Sequence, residues 1–413
     1  VYTVIITHTY MTMAACLCFT AGMQPQSIDE VLRQIEQNNK ELQSQQHATR
    51  AAQLEVQTQN NLEDPSVEYS PFYTKSITGM SSSELVVKQG FDFPTLYAAR
   101  SRSGKLQREA LHRQYEATRR DILLNAKNLC LDLVMLNKQQ GLLEERKKNA
   151  DELLALFEKR LEEGDAGILE VNKIKMERMS VQTEVSQNNA AHRTALQRLL
   201  AMNGNLPMDF TSRDYPQVEV LKDYNALYDE VMATDATLLA ADAAARAAEK
   251  NISVSRQSWL PKLEIGYRRN TSLDEKSNGF LIGGSLPIFS NRKKHQIARA
   301  QAISAQYQLD NARLQAEAQV QSQFNEMQQL TTAMQAYDVE LMHQTLDMLK
   351  EAVTAGQLSI IDYYTEADNV YRNLQAYMEM ENQYHKLMAS IYKNRLQNDV
   401  RISTSHKHSS KSD

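Results

Sequence analysis

Apolar and polar residues alternate strictly in only two stretches of this chain, and elsewhere they recur at helical spacing. After Pro65, Val67, Tyr69 and Tyr73 fall on one side of an extended segment, with Glu68 and Ser70 on the other. A turn around Gly79-Met80-Ser81 leads to a return strand with Leu85, Val87, Phe91 and Phe93 on one face and Glu84, Lys88 and Asp92 on the other. The second stretch repeats the scheme. Leu263, Ile265 and Tyr267 oppose Glu264 and Arg268, a polar turn is expected around Asn278-Gly279, and Phe280, Ile282 and Leu286 follow on the return strand. Phe93-Pro94 and Leu286-Pro287 close the two hairpins.

Helices fill the remainder. Ser27, followed three residues later by Glu30, reads as a capping box opening a helix that runs to about Leu62, before Pro65. A matching helix runs from about Asp223 to Trp259, before Pro261. Beyond each strand pair lies a longer helix, from about Tyr97 to Glu163 and from about Arg292 to Ala355. At 1.5 Å per residue each spans on the order of 100 Å, more than a globular domain accommodates. Return helices are expected from about Ile168 to Leu200 and from about Leu358 to Leu396. Ile122, Leu129, Leu136 and Leu143 recur every seven residues, with Ala126 and Leu133 between them, and Phe324, Met327, Met334 and Leu341 continue the pattern. That period favours left-handed coiling. Many other seam positions are Ala, Ser, Thr or Gln, which suits helices lining a broad watery tube.

The order is duplicated. Gly164 and Gly356 lie 192 positions apart, and Ile168 with Glu170 falls on Ile360 with Asp362 at the same offset. Asn39-Lys40-Glu41-Leu42 corresponds to Asp235-Ala236-Thr237-Leu238, and Pro65 to Pro261, at an offset of 196. The chain is therefore expected to divide into a signal or leader segment over 1–22, a first repeat over 23–209, a second over 210–396 and a disordered C-terminal tail over 397–413.

Composition narrows the function. Few glycines (13) and prolines (8) among 413 residues agree with long helices, and a net charge of -5 supplies no basic field for nucleic acid. The short basic run Ser290 to Lys294 marks a strand-to-helix transition. The histidines are scattered along helices without metal spacing or a catalytic constellation, so neither an enzyme nor a cofactor or metal is expected. Val4 to Phe19 reads as the apolar core of an export leader cleaved near Thr20-Ala21-Gly22, and Met13-Ala14-Ala15-Cys16 loosely matches a lipoprotein processing site that would lipidate Cys16. A frayed terminus is the alternative reading. No later segment reaches the roughly 18 apolar residues of a membrane-spanning helix, which leaves room for a barrel of weakly alternating strands. An ordinary soluble sheet alternates in the same way. Here, however, no second layer exists in the sequence to cover the apolar faces, and four strands do not close a barrel unless several copies join. A soluble or periplasmic coiled-coil scaffold or adaptor is the competing reading, and it gives those faces no partner.

Duplicated helix, strand pair and long hairpin, with Gly-x-x-x-Ile-x-Asp/Glu turns, resemble the TolC-like outer-membrane efflux family over Ser27 to about Leu396. The resemblance implies a mainly α fold with membrane β: a homotrimer whose protomers each give four strands to a twelve-stranded β-barrel, continued by a long α-helical barrel of coiled hairpins in the periplasm. It implies a passive exit channel of a tripartite efflux or type I secretion-like system, embedded in outer-membrane lipid, gated at its periplasmic helical tip and served by a periplasmic adaptor and an inner-membrane pump. Val67, Leu85 and Phe91 would face lipid, and Glu68, Glu84, Lys88, Asp92, Glu264 and Arg268 would face the lumen. The turns at Gly164, Gly167 and Ile168, and at Gly356 and Ile360, would form the periplasmic tip, packing behind the turns or meeting the adaptor. Glu170 falls on an acidic turn position of the first repeat. Asp362, with Glu366 one turn on, falls on a pore-facing gate position in the second. Thr365 departs from the family, where that position can be acidic. Tyr363 and Tyr364 would either hydrogen-bond across helices or fill packing space.

Overall fold

The computed structural model describes residues 26–75, 78–219 and 223–396. The expected leader, Cys16 with it, and the tail lie outside the described residues. Helix α1 (Ile28–Asn38) opens as predicted, with Ser27 Oγ accepting from the Glu30 amide at 3.2 Å. The Glu30 carboxylate does not complete a capping box; it pairs with Arg33 at 2.9 Å. The expected single helix to Leu62 breaks at Asn39 (φ -65, ψ 119), and α2 runs Lys40–Thr58. In the second half α5 (Tyr224–Thr234) breaks at Asp235 (φ -59, ψ 122) before α6 (Ala236–Gln257). The two breaks fall on corresponding residues of the repeats and share one backbone conformation. Each has a short polar side chain that stabilises the non-helical geometry. Asn39 Nδ2 donates to the Met202 carbonyl at 2.9 Å, and Asp235 Oδ1 accepts from the Leu238 amide at 2.8 Å.

Strands β1 (Ser66–Tyr73), β2 (Met80–Phe91), β3 (Lys262–Ser272) and β4 (Lys276–Ser285) form one antiparallel sheet in the order β1-β2-β3-β4. The β3–β4 turn lies at Leu273-Asp274-Glu275, not at Asn278-Gly279, which sit inside β4; Leu286 falls beyond the strand. Register fixes the faces, because directly paired residues of an antiparallel ladder project to the same side. Val67 pairs with Val87, Val87 with Tyr267 and Tyr267 with Phe280, giving an apolar row across all four strands. Ile265 with Ile282, and Phe91 with Leu263, extend it toward the strand roots. The helices join the sheet at those roots, and both turns lie at the opposite end.

By its internal contacts the chain forms two units, one of Val1–Lys40, Ile122–Val220 and Gln323–Asp413, the other of Glu41–Asp121 and Leu221–Ser322. Helix α3 (Pro94–Glu163) is continuous for 70 residues. Its counterpart is not continuous: α7 (Lys294–Gln335) ends, and α8 (Val339–Thr354) starts anew with Asp338 Oδ1 accepting from the Leu341 amide at 2.9 Å. The restart resets the seven-residue phase. Met327 is buried, but Leu341 is 54% exposed and Leu346 and Val353 take the core positions. Returning helices are α4 (Ile168–Met202) and α9 (Ile360–Ile391), the latter followed by a 3₁₀ turn at Tyr392–Arg395.

Apolar clusters among the described residues hold the first unit together. One packs Val31, Leu32 and Ile35 of α1 against Leu123, Ala126, Leu133 and Val134 of α3 and Leu199 of α4. Another lies near the hairpin ends, where Leu153 and Phe157 meet Val171, Ile174, Leu346, Val353, Ile360 and Leu374. The sheet belongs to the second unit, where Leu238 and Ala245 of α6 pack with Leu309 of α7. Its apolar face is left bare: Phe280 is 92% and Ile282 86% exposed. Among the described residues, no helix is long and apolar enough to cross a membrane.

Candidate functional site

The two hairpin tips stop their helices identically. The Gly164 amide donates to Leu161 O (3.2 Å) and Asp165 N to Arg160 O (2.8 Å); in the second copy Gly356 N donates to Val353 O (3.2 Å) and Gln357 N to Ala352 O (2.9 Å). This is the paired bonding of a Schellman stop. It requires a left-handed residue, and Gly164 (φ 82) and Gly356 (φ 73) supply it. Arg160 crosses between the tips, donating from Nη2 to the Thr354 carbonyl at 2.6 Å.

The next helices are then restarted by acidic side chains. Glu170 Oε2 accepts from the Gly167 amide at 2.7 Å. Ser359 Oγ accepts from the Asp362 amide at 3.1 Å and donates to Asp362 Oδ2 at 2.7 Å. Gly167 is extended (φ -90) and has no side chain to cap with, so Glu170 closes that turn alone. The matched isoleucines part company: Ile360 is fully buried behind its turn, whereas Ile168 is 57% exposed beside the still more exposed Leu169. Asp362 and Glu366 both stand exposed on one face of α9, opposite the buried Tyr363, Tyr364 and Ala367. The two tyrosines pack edge to face at 4.9 Å, and burial pushes both phenols well above their ordinary range. The Tyr364 hydroxyl has no hydrogen-bond partner, so packing is its role.

A larger electrostatic feature escaped the sequence reading. Arg146 of α3 donates from Nε to Glu177 at 2.8 Å and from Nη2 to Asp368 at 2.7 Å; its Nη1 lies 3.4 Å from Glu184, and the guanidinium sits 4.9 Å over the Tyr371 ring. Three helices, α3, α4 and α9, are thereby tied at one point. Burial works against the Arg146 charge, but the three carboxylates outweigh it and hold its pKa above the ordinary value. Glu177 is 7% exposed, and burial raises its pKa despite Arg146. The available signal was Glu177 and Glu184 seven residues apart on α4; the convergence of Asp368 was not written in any spacing.

On the sheet, Glu68, Val86, Arg268 and Gly279 form one row of the polar face. Lys88 and Gly266 share another, and Glu264 stands between Gly90 and Gly283. Glu84 and Arg268 form a cross-strand pair at 2.9 Å. Asp92 is a correction. It lies beyond β2, buried, with its amide donating to Tyr97 Oη (3.1 Å) and its carboxylate bound to Arg100 (2.6 Å), so it anchors the joint between strand and helix instead of standing on the polar face. Lys262, paired with Glu63, completes that joint 4.0 Å from Asp92. Among the described residues, no group of His, Cys, Asp and Glu is placed to hold a metal ion.

A family model described as outer membrane efflux protein matches residues 31–205 and 227–393. No curated protein matches the sequence. Among solved structures, a membrane protein from Pseudomonas aeruginosa is similar at a TM-score of 0.72 and 16% identity, with 89% of each chain covered. The Campylobacter jejuni CmeC outer membrane channel is similar at 0.71 and 16% identity, covering 91% of this chain and 90% of that one. The outer membrane protein VceC of Vibrio cholerae is similar at 0.71 and 16% identity, covering 89% and 95%. At such identities the likeness is one of fold, a four-stranded sheet carried on long helices, and the matched family covers both repeats. The chain belongs to the outer membrane efflux protein family, and it is an outer-membrane exit channel of the TolC type.

Proposed function

We propose that three copies join their sheets edge to edge into a twelve-stranded barrel through the outer membrane and continue it as a helical tunnel in the periplasm. The observation that carries this reading is the sheet with one bare apolar face, one charged face, and two unpaired edges at β1 and β4. Closure removes the edges, which hydrocarbon would penalise at several kcal/mol per unsatisfied group. Lipid then covers the row Val67, Val87, Tyr267 and Phe280. Glu68, Glu84, Lys88, Glu264 and Arg268 line the lumen, where charge stays hydrated. A soluble scaffold would leave the apolar face open to water. In this reading residues 1–22 direct export, and 23–209 and 210–396 are the two repeats.

The hairpin tips are the periplasmic gate. Exposed Ile168, Leu169 and Ile361 offer the adaptor an apolar edge, and an inner-membrane pump supplies the energy that the passive duct lacks. Opening follows if the adaptor binds the open arrangement more tightly than the closed one. Three copies of Asp362 and Glu366 converge there as a ring of carboxylates that favours cations. This is supported by their exposure on one helix face and by the lack of a basic partner for either among the described residues. In D362N the amide oxygen still accepts from Ser359, so the helix start survives while the charge goes. Planar-bilayer recording of assembled D362N is expected to show reduced cation over anion selectivity. Unchanged selectivity and conductance would remove Asp362 from the gate.

A further inference from the structure

We propose that Arg269 and Lys276 form a binding site, on the outside of the barrel, for the phosphorylated headgroup of an outer-leaflet lipid. This rests on the reading that the sheet's apolar face meets the bilayer. Arg269 pairs in register with Leu85 and Asn278, and Thr271 pairs with Ser83 and Lys276. Both cations therefore project from the face that carries Val67, Val87, Tyr267 and Phe280, and not from the charged one. They are diagonal neighbours on β3 and β4, about 7–8 Å apart between backbones.

The contrast with the adjacent residue is what makes the placement informative. Arg268, on the polar face, is neutralised by Glu84 at 2.9 Å. Arg269 and Lys276 are exposed and have no carboxylate partner among the described residues. A cation on a lipid-facing strand costs roughly 2–4 kcal/mol at the bilayer midplane but about 0–1 near the headgroups. Both stand on the turn side of the apolar row, in the direction in which that cost falls, Lys276 farther along it than Arg269. They lie two and four residues beyond the Tyr267 row toward the β3–β4 turn, at the end of the sheet away from the helices. With the helices in the periplasm, that end reaches the outer leaflet. Asp274 and Glu275 lie in the turn itself, outside the paired strand faces. An apolar band topped by two unpaired cations matches a molecule with acyl chains below and phosphate above. In a trimer the pair recurs three times around the wall.

The test uses the assembled full chain in detergent, with diphosphorylated lipid A and its dephosphorylated form as probes and native mass spectrometry as the readout. Wild type is expected to retain the diphosphorylated lipid, R269Q/K276Q to retain it roughly ten- to thirtyfold less, and both to hold the dephosphorylated form equally weakly. Inorganic phosphate should not displace the lipid. Equal retention by wild type and the double variant, or displacement by inorganic phosphate, would overturn the proposal. Bilayer conductance separates the layers of the claim. A double variant that conducts like wild type while retaining the lipid equally well defeats this inference alone, whereas a chain that forms no conducting assembly defeats the barrel reading and this inference together.

Discussion

Replacing Arg146 with methionine is expected to loosen the hairpin ends by about 3 kcal/mol, the lower end of what removing one partner of a buried ion pair costs. The cost arises because Glu177 remains buried beside Asp368 and Glu184 without the cation that bonds it directly, leaving only the weaker pull of Lys173. Water at the partly exposed Glu184 and Asp368 keeps the cost at the low end. Hydrogen exchange of the α4 and α9 amides around these residues should accelerate roughly a hundredfold at neutral pH, since exchange reads local opening directly. The effect should depend on pH with a definite sign. Glu177 already has a raised pKa in the intact protein, chiefly through burial, so its contribution to stability falls as pH rises from the ordinary carboxylate value through the raised one. Removing Arg146 takes away the charge that lowers it and extends that window upward. The R146M deficit should therefore be full at neutral pH and shrink on acidification, and R146M/E177Q should recover part of it at neutral pH. Acceleration that ignores pH, or none at all, would show that the cluster does not hold the three helices together. Because these helices carry the proposed gate, R146M should also leak in bilayers without an adaptor.

The second large effect concerns the sheet. F280R should sharply reduce assembled channel, whereas L281R, one residue on, should be tolerated. Phe280 ends the apolar row begun by Val67, Val87 and Tyr267, while Leu281 pairs with Gly266 on the face shared with Lys88. If the first face meets hydrocarbon, an arginine at 280 costs roughly 2–4 kcal/mol per protomer, and one at 281 enters a hydrated lumen. The comparison is read as the yield of heat-resistant oligomer from outer membranes. Equal behaviour of the two variants would mean that the faces do not see different solvents.

Much of this was legible in the sequence because it is written in local periodicity. Alternation at Val67, Tyr69, Leu85 and Val87 assigned the sheet's faces, and the glycines 192 positions apart located both tips. Misreadings occurred where a strong local signal met a tertiary demand. Asn278-Gly279 is a favoured hairpin turn, yet pairing of Arg268 with Gly279 and Arg269 with Asn278 keeps it inside β4. Asn39 and Asp235 were matched between the repeats, but neither is a glycine or proline, and a helix break without either is visible only in the hydrogen bonds their side chains make. The repeat itself misled at Ile168 and Ile360, which are equivalent in spacing but opposite in burial because the two tips pack differently. Asp92 kept the strand's alternation on paper, but Pro94 starts a helix two residues later and turns its carboxylate onto Arg100. The Arg146 cluster needed three helices to converge, and no one-dimensional pattern encodes that.

The most direct measurement of the two-faced sheet uses the fact that the chain has a single tryptophan, Trp259. In a W259F background, tryptophan is placed at one lipid-side or one lumen-side position at a time, and the assembled protein is reconstituted with brominated lipids. The expected result is strong quenching by brominated acyl chains for Y267W and F280W, and quenching by aqueous iodide instead for N270W and L281W. Quenching by iodide alone at all four positions would place both faces in water and contradict the membrane barrel.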